Sequence, residues 1–102
     1  MPYRAPVSDI TFCLDHVVGC DRVQGQAQFA EATGDTVQAI LTEAGRICEE
    51  GLAPLNRAGD LTPARLENGV VRTSPGFGDG YHALADAGFM GISTAPAHGG
   101  LG

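Results

Sequence analysis

Apolar residues recur at helical spacing in the first part of the chain. Over residues 7–18 they lie three or four positions apart, and Gly19 follows, so the pattern predicts a helix that ends at this glycine. Its apolar face comprises Ile10, Cys13, Leu14, Val17 and Val18. A shorter pattern around Phe29 predicts a second helix over residues 24–32, which Gly25 weakens.

The strongest helical pattern follows Asp35, which we expect to cap a long amphipathic helix. Pro54 lacks a backbone donor and should kink or end that helix, with one further turn over residues 55–58. A loop is then expected to open at Gly59 and Asp60. The apolar stripe of the helix is continuous and comprises Val37, Ile40, Leu41, Ala44, Ile47, Cys48 and Leu52.

A turn signal follows the long helix. Asn68 and Gly69 form a turn pair flanked by apolar residues, which predicts a small hairpin over residues 66–73. Two short strands are not stable in isolation, so we expect the hairpin to lie against the helices.

A last helix is predicted over residues 77–86, with Gly88 at its C-terminal cap. The side chains expected to face inward are Tyr81, Leu84 and Ala85. Together the patterns predict an all-α fold, a helical bundle with a short extended or hairpin insertion near residues 66–74.

Size and charge narrow the possible functions. A chain of 102 residues forms one domain at most and is too small to enclose a large active-site cleft. Its net charge of −6 and its lack of lysine disfavour a nucleic-acid partner. No apolar run approaches the roughly 18–20 residues of a membrane span. The N-terminus lacks the apolar core of a secretory signal, so we expect a cytoplasmic location.

The residues with reactive side chains show no recognised catalytic or metal-binding spacing. Cys13, Cys20 and Cys48 are therefore interpreted as reduced core residues, with a small thiol or metal protein as an alternative. The histidines lie in separate segments and are not expected to bind metal or act in catalysis: His16, His82 and His98.

Two further motifs have a structural interpretation beside a chemical one. Glu49 and Glu50 are adjacent in a helix and point about 100° apart, so they cannot act on one substrate atom and are expected on a solvated face. The glycine-rich turn at residues 99–102 lacks the full phosphate-binding pattern and a preceding strand. We expect it to allow close backbone approach instead.

Four segments, in order, resemble the acyl-CoA dehydrogenase family. Residues 47–57, with the Glu-Glu pair and then Pro54, and residues 81–102, with the closing glycines, resemble the N-terminal helical domain of these enzymes. Residues 3–12 and 66–77 resemble the long bacterial subgroup similar to 3-methylmercaptopropionyl-CoA dehydrogenase, which has an N-terminal extension.

The resemblance implies a FAD-dependent enzyme of fatty acid metabolism that desaturates an acyl-CoA thioester and passes electrons to an acceptor. It implies a homodimer or tetramer in which each subunit has an N-terminal helical, a middle β and a C-terminal helical domain. Residues 1–34 would be an N-terminal helical extension, and residues 35–102 the start of the first domain. The catalytic carboxylate and the main flavin contacts would lie beyond residue 102.

The chain itself is therefore expected to hold no catalytic, FAD-binding or metal-binding residue and to be inactive alone. For His98, Gly99 and Gly100 the resemblance implies a minor role in lining the acyl pocket. The alternative is a free-standing helical module that shares ancestry with this domain and binds a partner protein. That module would have a filled core, whereas a part of the enzyme would expose an apolar face.

Overall fold

The computed structural model describes residues 2–102, and it is mostly helical with one small antiparallel hairpin. The predicted fold class is thus confirmed. The helices are α1 (Val7–Phe12), α2 (Cys20–Gln24), α3 (Gly34–Ile47), α4 (Ala53–Leu61) and α5 (Phe77–Asp86). The strands are β1 (Arg65–Glu67) and β2 (Val70–Arg72).

The first predicted helix is confirmed in its extent. Helix α1 continues as a π-helical stretch, Cys13–Val18, and ends at Gly19, whose φ of 72° is left-handed. The predicted apolar face is only partly buried: Leu14 is half-buried, but Val17 remains 73% exposed. The buried side chains of this helix lie on the side that contacts α3. Nothing else within residues 2–102 packs against the rest of its apolar face.

The second helix was predicted too late in the chain. Helix α2 begins at Cys20, immediately after Gly19, and ends at Gln24, where the prediction began. Gly25 separates it from a single 3-10 turn, Ala27–Phe29. The helical region is therefore two short pieces, because Gly25 interrupts the pattern that Phe29 suggested.

The N-cap of α3 is Thr33 and not Asp35. Thr33 has extended backbone angles, and its hydroxyl accepts a hydrogen bond from the amide of Thr36 at 3.3 Å. Threonine and aspartate are both favoured at N-caps. Thr33 has the extended backbone of an N-cap residue, whereas Asp35 is already helical. Asp35 lies in the first turn, where its charge still favours the helix.

Pro54 neither ends nor breaks the helical segment. A π-helical stretch, Cys48–Leu52, joins α3 to α4, so the segment remains helical to Leu61. In a π turn the hydrogen bonds reach one residue further back, which accommodates the donor missing at Pro54. The loop predicted at Gly59 and Asp60 is therefore wrong, since both residues lie within α4.

Helices α4 and α5 pack through a leucine that lies between two glycines. A Cβ at Gly76 would lie 2.7 Å from Cδ2 of Leu55, and a Cβ at Gly80 would lie 2.6 Å from its Cδ1. The side of α5 that contacts Leu55 is therefore formed by glycines, while Phe77 of α5 lies against Gly59 of α4. The predicted bounds of α5 are confirmed. Tyr81, which was expected to face inward, is 55% exposed, because Gly76 and Gly80 form the side of α5 that contacts Leu55.

The hairpin forms as predicted, with strands at residues 65–67 and 70–72 joined by Asn68 and Gly69. Both turn residues have positive φ, 50° and 79°, as a two-residue hairpin turn requires. All six strand residues are exposed, so the hairpin does not bury a face against the helices as expected.

Little of the chain is buried. Among residues 2–102, Ile47 is the one buried hydrophobic side chain. The chain measures 53 × 37 × 19 Å and has a radius of gyration of 17.1 Å. A compact protein of this length has a radius near 13 Å. The accessible surface of 7571 Å² exceeds by about 2,100 Å² the ~5,400 Å² expected of a folded monomer of 10.5 kDa.

Candidate functional site

Residues 91–102, the C-terminal loop, form a compact turn closed by its own backbone. The amide of Leu101 donates to the carbonyl of Ile92 at 3.0 Å, and that of Gly102 donates to Thr94 at 2.9 Å. The Thr94 hydroxyl also donates to the carbonyl of Gly91 at 2.7 Å. These bonds bring the two ends of the loop together, as in the compact loops often found at functional sites.

Gly100 lies where the two ends of this loop meet. A Cβ at this position would lie 2.6 Å from the carbonyl oxygen of Gly91 and would also overlap the carbonyl oxygen of Thr94. Backbone atoms cannot rotate aside as the end of a side chain can. The close approach expected of the glycine-rich turn is therefore found at Gly100.

Two neighbouring apolar cavities of about 490 and 320 Å³, both open to solvent, lie between the C-terminal loop and α3. Both are lined by Ile40 of α3 and by Ile92, Gly100 and Leu101 of the loop. The polar residues Glu31, Thr36 and Ser93 also line the larger cavity. Apolar walls with a few polar groups suit an aliphatic or small organic ligand.

The three residues predicted to line a pocket are placed differently. Gly100 lines both cavities and Gly99 lines the smaller one. His98 is exposed and lines neither. Their role in substrate binding stays a prediction.

The glycine-rich turn does not offer its amides to a phosphate group. The amides of Gly99, Gly100, Leu101 and Gly102 all donate to carbonyl oxygens within the C-terminal loop, at 2.9 to 3.3 Å. A phosphate cradle needs free backbone donors that point at the anion. The turn is therefore a self-contained structural element.

Glu49 holds the N-terminal arm, residues 2–6, against the long helical segment. Its carboxylate accepts a hydrogen bond from the Ala5 amide at 2.8 Å and another from Arg4 at 3.0 Å. The Ala5 amide, followed by Arg4, lowers the pKa of Glu49 below its ordinary value. The expected solvated face is wrong for this residue, because its side chain is only 25% exposed and its partners Ala5 and Arg4 lie 44 and 45 positions away.

Glu50, in contrast, lies on the solvated face as expected. It is exposed and pairs with Arg46 at 2.8 Å, while Arg46 also forms two hydrogen bonds to Glu43. Arg46 lowers the pKa of Glu43 through these hydrogen bonds. Such exposed pairs add little to stability.

In the described chain the three cysteines are free and the three histidines are exposed. Cys13 is exposed, which corrects its interpretation as a core residue, and Cys20 and Cys48 are half-buried. Residues 2–102 contain no group of three side chains arranged to hold a metal ion. His16 contacts the ring of Phe12, with the ring centres 4.8 Å apart.

The apolar walls of the cavities were not predicted as site residues. Ile40 belongs to the apolar stripe of the long helix and was expected in the core. Ile92 and Leu101 lie in a segment without periodicity, and the backbone bond between them brings them together. The closing glycines were the one sequence signal for this region.

Two curated proteins match the chain, whereas no family model does. The 3-methylmercaptopropionyl-CoA dehydrogenase of Ruegeria pomeroyi is 39% identical over the whole chain. A broad-specificity linear acyl-CoA dehydrogenase of Mycobacterium tuberculosis is 29% identical over 97% of it. The predicted resemblance to acyl-CoA dehydrogenases is confirmed. The chain spans only 17% and 16% of the length of these relatives.

The helices were also compared with the requirements of a bilayer. Within residues 2–102, none combines the length and apolar character that a membrane-crossing helix needs.

Proposed function

We propose that this chain is the N-terminal helical part of a FAD-dependent acyl-CoA dehydrogenase that desaturates the α,β bond of an acyl-CoA thioester. The observation that carries the proposal is the match to two acyl-CoA dehydrogenases along the whole chain. The higher identity to the 3-methylmercaptopropionyl-CoA enzyme supports the long bacterial subgroup. Residues 1–34 are proposed as the N-terminal extension and residues 35–102 as the start of the first domain.

The surface of the chain supports this proposal over a free-standing interaction module. A module with a filled core would expose an area close to that of other folded monomers, whereas this chain exposes about 2,100 Å² more. A standard stable interface covers about 800 Å² on each partner. The surplus therefore suits extensive packing against other domains of one enzyme.

The chain's proposed contribution is to the wall of the acyl pocket. The cavities beside Ile40 and Leu101 are apolar, and Gly99 and Gly100 form part of their lining. An acyl chain is bound by burial of its methylene groups, at about 0.8 kcal/mol for each one. We propose His98 only as a neighbour of this pocket, since it lines neither cavity.

Two kinds of group that could bind the phosphates of FAD are already engaged within residues 2–102. The turn amides at residues 99–102 are all engaged, and four of the six arginines pair with carboxylates: Arg4, Arg46, Arg65 and Arg72. We propose that the flavin, the catalytic carboxylate and the contact with an electron acceptor belong to the rest of the enzyme. The 102 residues alone are then inactive, and the enzyme is proposed as a cytoplasmic homo-oligomer.

The test is to purify the polypeptide as its own cell produces it and to record its intact mass and visible spectrum. We expect a mass several times 10.5 kDa, flavin absorbance, and bleaching of that absorbance when an acyl-CoA is added without oxygen. Free coenzyme A is the control and should not bleach the flavin. A mass of 10.5 kDa without flavin would refute the proposal and favour the interaction module.

A further inference from the structure

The N-terminal arm lies close against α3 because α3 has a glycine where the two meet. A Cβ at Gly45 would lie 3.0 Å from the Cβ of Ala5 and 3.2 Å from Cγ2 of Val7, the first residue of α1. Gly45 is buried, although most of the chain is not. The arm and the start of α1 therefore share one close contact with α3, and a side chain at Gly45 would press on both.

The arm and α1 are nevertheless held by different polar contacts. The Thr11 hydroxyl of α1 forms a hydrogen bond with the side-chain amide of Gln38 in α3, at 2.9 Å. The arm is held by the two hydrogen bonds to Glu49. Within residues 2–102, Glu49 is the one residue beyond α1 that forms a hydrogen bond with the arm. Loss of these two bonds would therefore release the arm and leave the polar contact of α1 intact.

The arm also forms one wall of a cavity of about 300 Å³ that is open to solvent. Tyr3 supplies this wall, and the other lining residues belong to the long helical segment: Cys48, Leu52, Ala53 and Asn56. Cys48 is half-buried and directly precedes Glu49. Movement of the arm away from Glu49 would therefore uncover this side of the helical segment, including the Cys48 thiol.

The contacts at Glu49 are of a kind that can open while the rest of the chain stays folded. The side chain of Arg4 is 79% exposed, so water and dissolved ions compete with it for the carboxylate. Pro2 and Pro6 restrict the backbone of the arm, which lowers the entropy that is lost when the arm closes again. Segments with few buried contacts open at low free energy.

We propose that the N-terminal arm is a movable cover. It opens as a unit from the side of the helical segment that carries Cys48 when its bonds to Glu49 are lost, while α1 stays on α3. Glu49 thus controls access to the cavity through the amide of Ala5 and the guanidinium of Arg4. The proposal concerns contacts within residues 2–102 and does not depend on the proposed function.

Adjacent glutamates supply a matched pair for the test. Glu49→Ala removes both contacts with the arm, whereas Glu50→Ala removes an equal charge from the same stretch, where it pairs with Arg46. The readout is the rate at which N-ethylmaleimide modifies Cys48 in the purified full-length protein, measured by mass spectrometry of the modified peptide. We expect about two- to tenfold faster modification in Glu49→Ala than in Glu50→Ala, because hydrogen bonds to a partly exposed charged group have about this weight.

A second pair of variants moves the arm without a change of charge. Gly45→Ala places a methyl group against Ala5 and Val7, whereas the new Cβ in Gly51→Ala meets no atom within 4 Å. We expect faster modification of Cys48 in Gly45→Ala and not in Gly51→Ala. Hydrogen exchange of the α1 amides should stay at the wild-type rate in Glu49→Ala and rise in Gly45→Ala, since Val7 belongs to α1.

Two results would overturn the inference. The first is equal modification of Cys48 in Glu49→Ala and Glu50→Ala. The second is faster hydrogen exchange of α1 in Glu49→Ala, because the arm and α1 would then open together. Flavin and substrate play no part in either readout, so failure of the cover leaves the proposed function to its own test.

Discussion

Two glycines near the start of α5 should respond in opposite ways to the same substitution. Gly78 and Gly80 are both helical, but a Cβ at Gly78 would meet nothing within 4 Å. A Cβ at Gly80 would lie 2.6 Å from Leu55 and 3.2 Å from Leu52. Gly78→Ala therefore isolates the helix propensity, and Gly80→Ala adds steric overlap to it.

The size of the difference follows from the contacts. Alanine in place of a helical glycine stabilises by about 0.5–1 kcal/mol, and we expect that gain for Gly78→Ala. At Gly80 the gain is opposed by overpacking, which costs about 1–3 kcal/mol. The side chain of Leu55 cannot easily turn aside, because its other methyl group already lies against Gly76.

The assay is hydrogen exchange of the amides in α4 and α5, measured by mass spectrometry in the purified protein. Because about 1.4 kcal/mol changes an equilibrium tenfold, we expect these amides to exchange about 5- to 150-fold faster in Gly80→Ala than in Gly78→Ala. Leu55→Ala introduced into Gly80→Ala should reduce the penalty of the second alanine. Equal slowing of exchange by both glycine substitutions would refute the proposed contact between Leu55 and Gly80.

Three further predictions use matched variants. The N-terminal arm should loosen in acid, because a carboxyl with a lowered pKa, such as Glu49, stabilises the fold above its ordinary pKa and ceases to do so as pH falls through the lowered value. Glu49→Gln should remove this pH dependence, whereas Glu50→Gln should leave it unchanged. Hydrogen exchange of the arm's amides as a function of pH measures the effect. Gly100→Ala should expose the amides of the C-terminal loop to hydrogen exchange. Gly91→Ala should not, because no atom lies closer than 3.5 Å to the new Cβ. Equal protection of the loop amides in both variants would contradict the close approach at Gly100. Gly69→Ala should destabilise the hairpin by about 1–2 kcal/mol, because φ at Gly69 is 79° and alanine disfavours this left-handed conformation. Gly69→Asn should destabilise it less. Faster hydrogen exchange of the cross-strand amides measures both effects.

Local signals in the sequence predicted the elements that local physics determines. The period of the stripe through Ile40 and Ile47 predicted the long helix, and the pair Asn68 and Gly69 predicted the hairpin. The errors arose where alternatives of similar local energy compete. Thr33 and Asp35 both suit an N-cap, and Pro54 suits both the end of a helix and the position after a π turn.

The candidate site was less predictable because it depends on distant contacts. Gly100 could be predicted as a point of close approach, but its partners could not, since they depend on how the loop closes. Glu49 reaches Arg4 across 45 positions, and no pattern in the sequence marks that pairing. Tyr81 was assigned to the inner face together with Leu84 and Ala85, whereas the side of α5 that contacts Leu55 is formed by glycines.

The thin dimension of the chain has a consequence for biosynthesis. At 19 Å it is about two helices thick, so each helix keeps one side in contact with water. The uncovered sides carry apolar residues such as Val17, which is 73% exposed. These faces are open to chaperones and proteases as the chain is made, so the yield of the protein depends on how well they are protected.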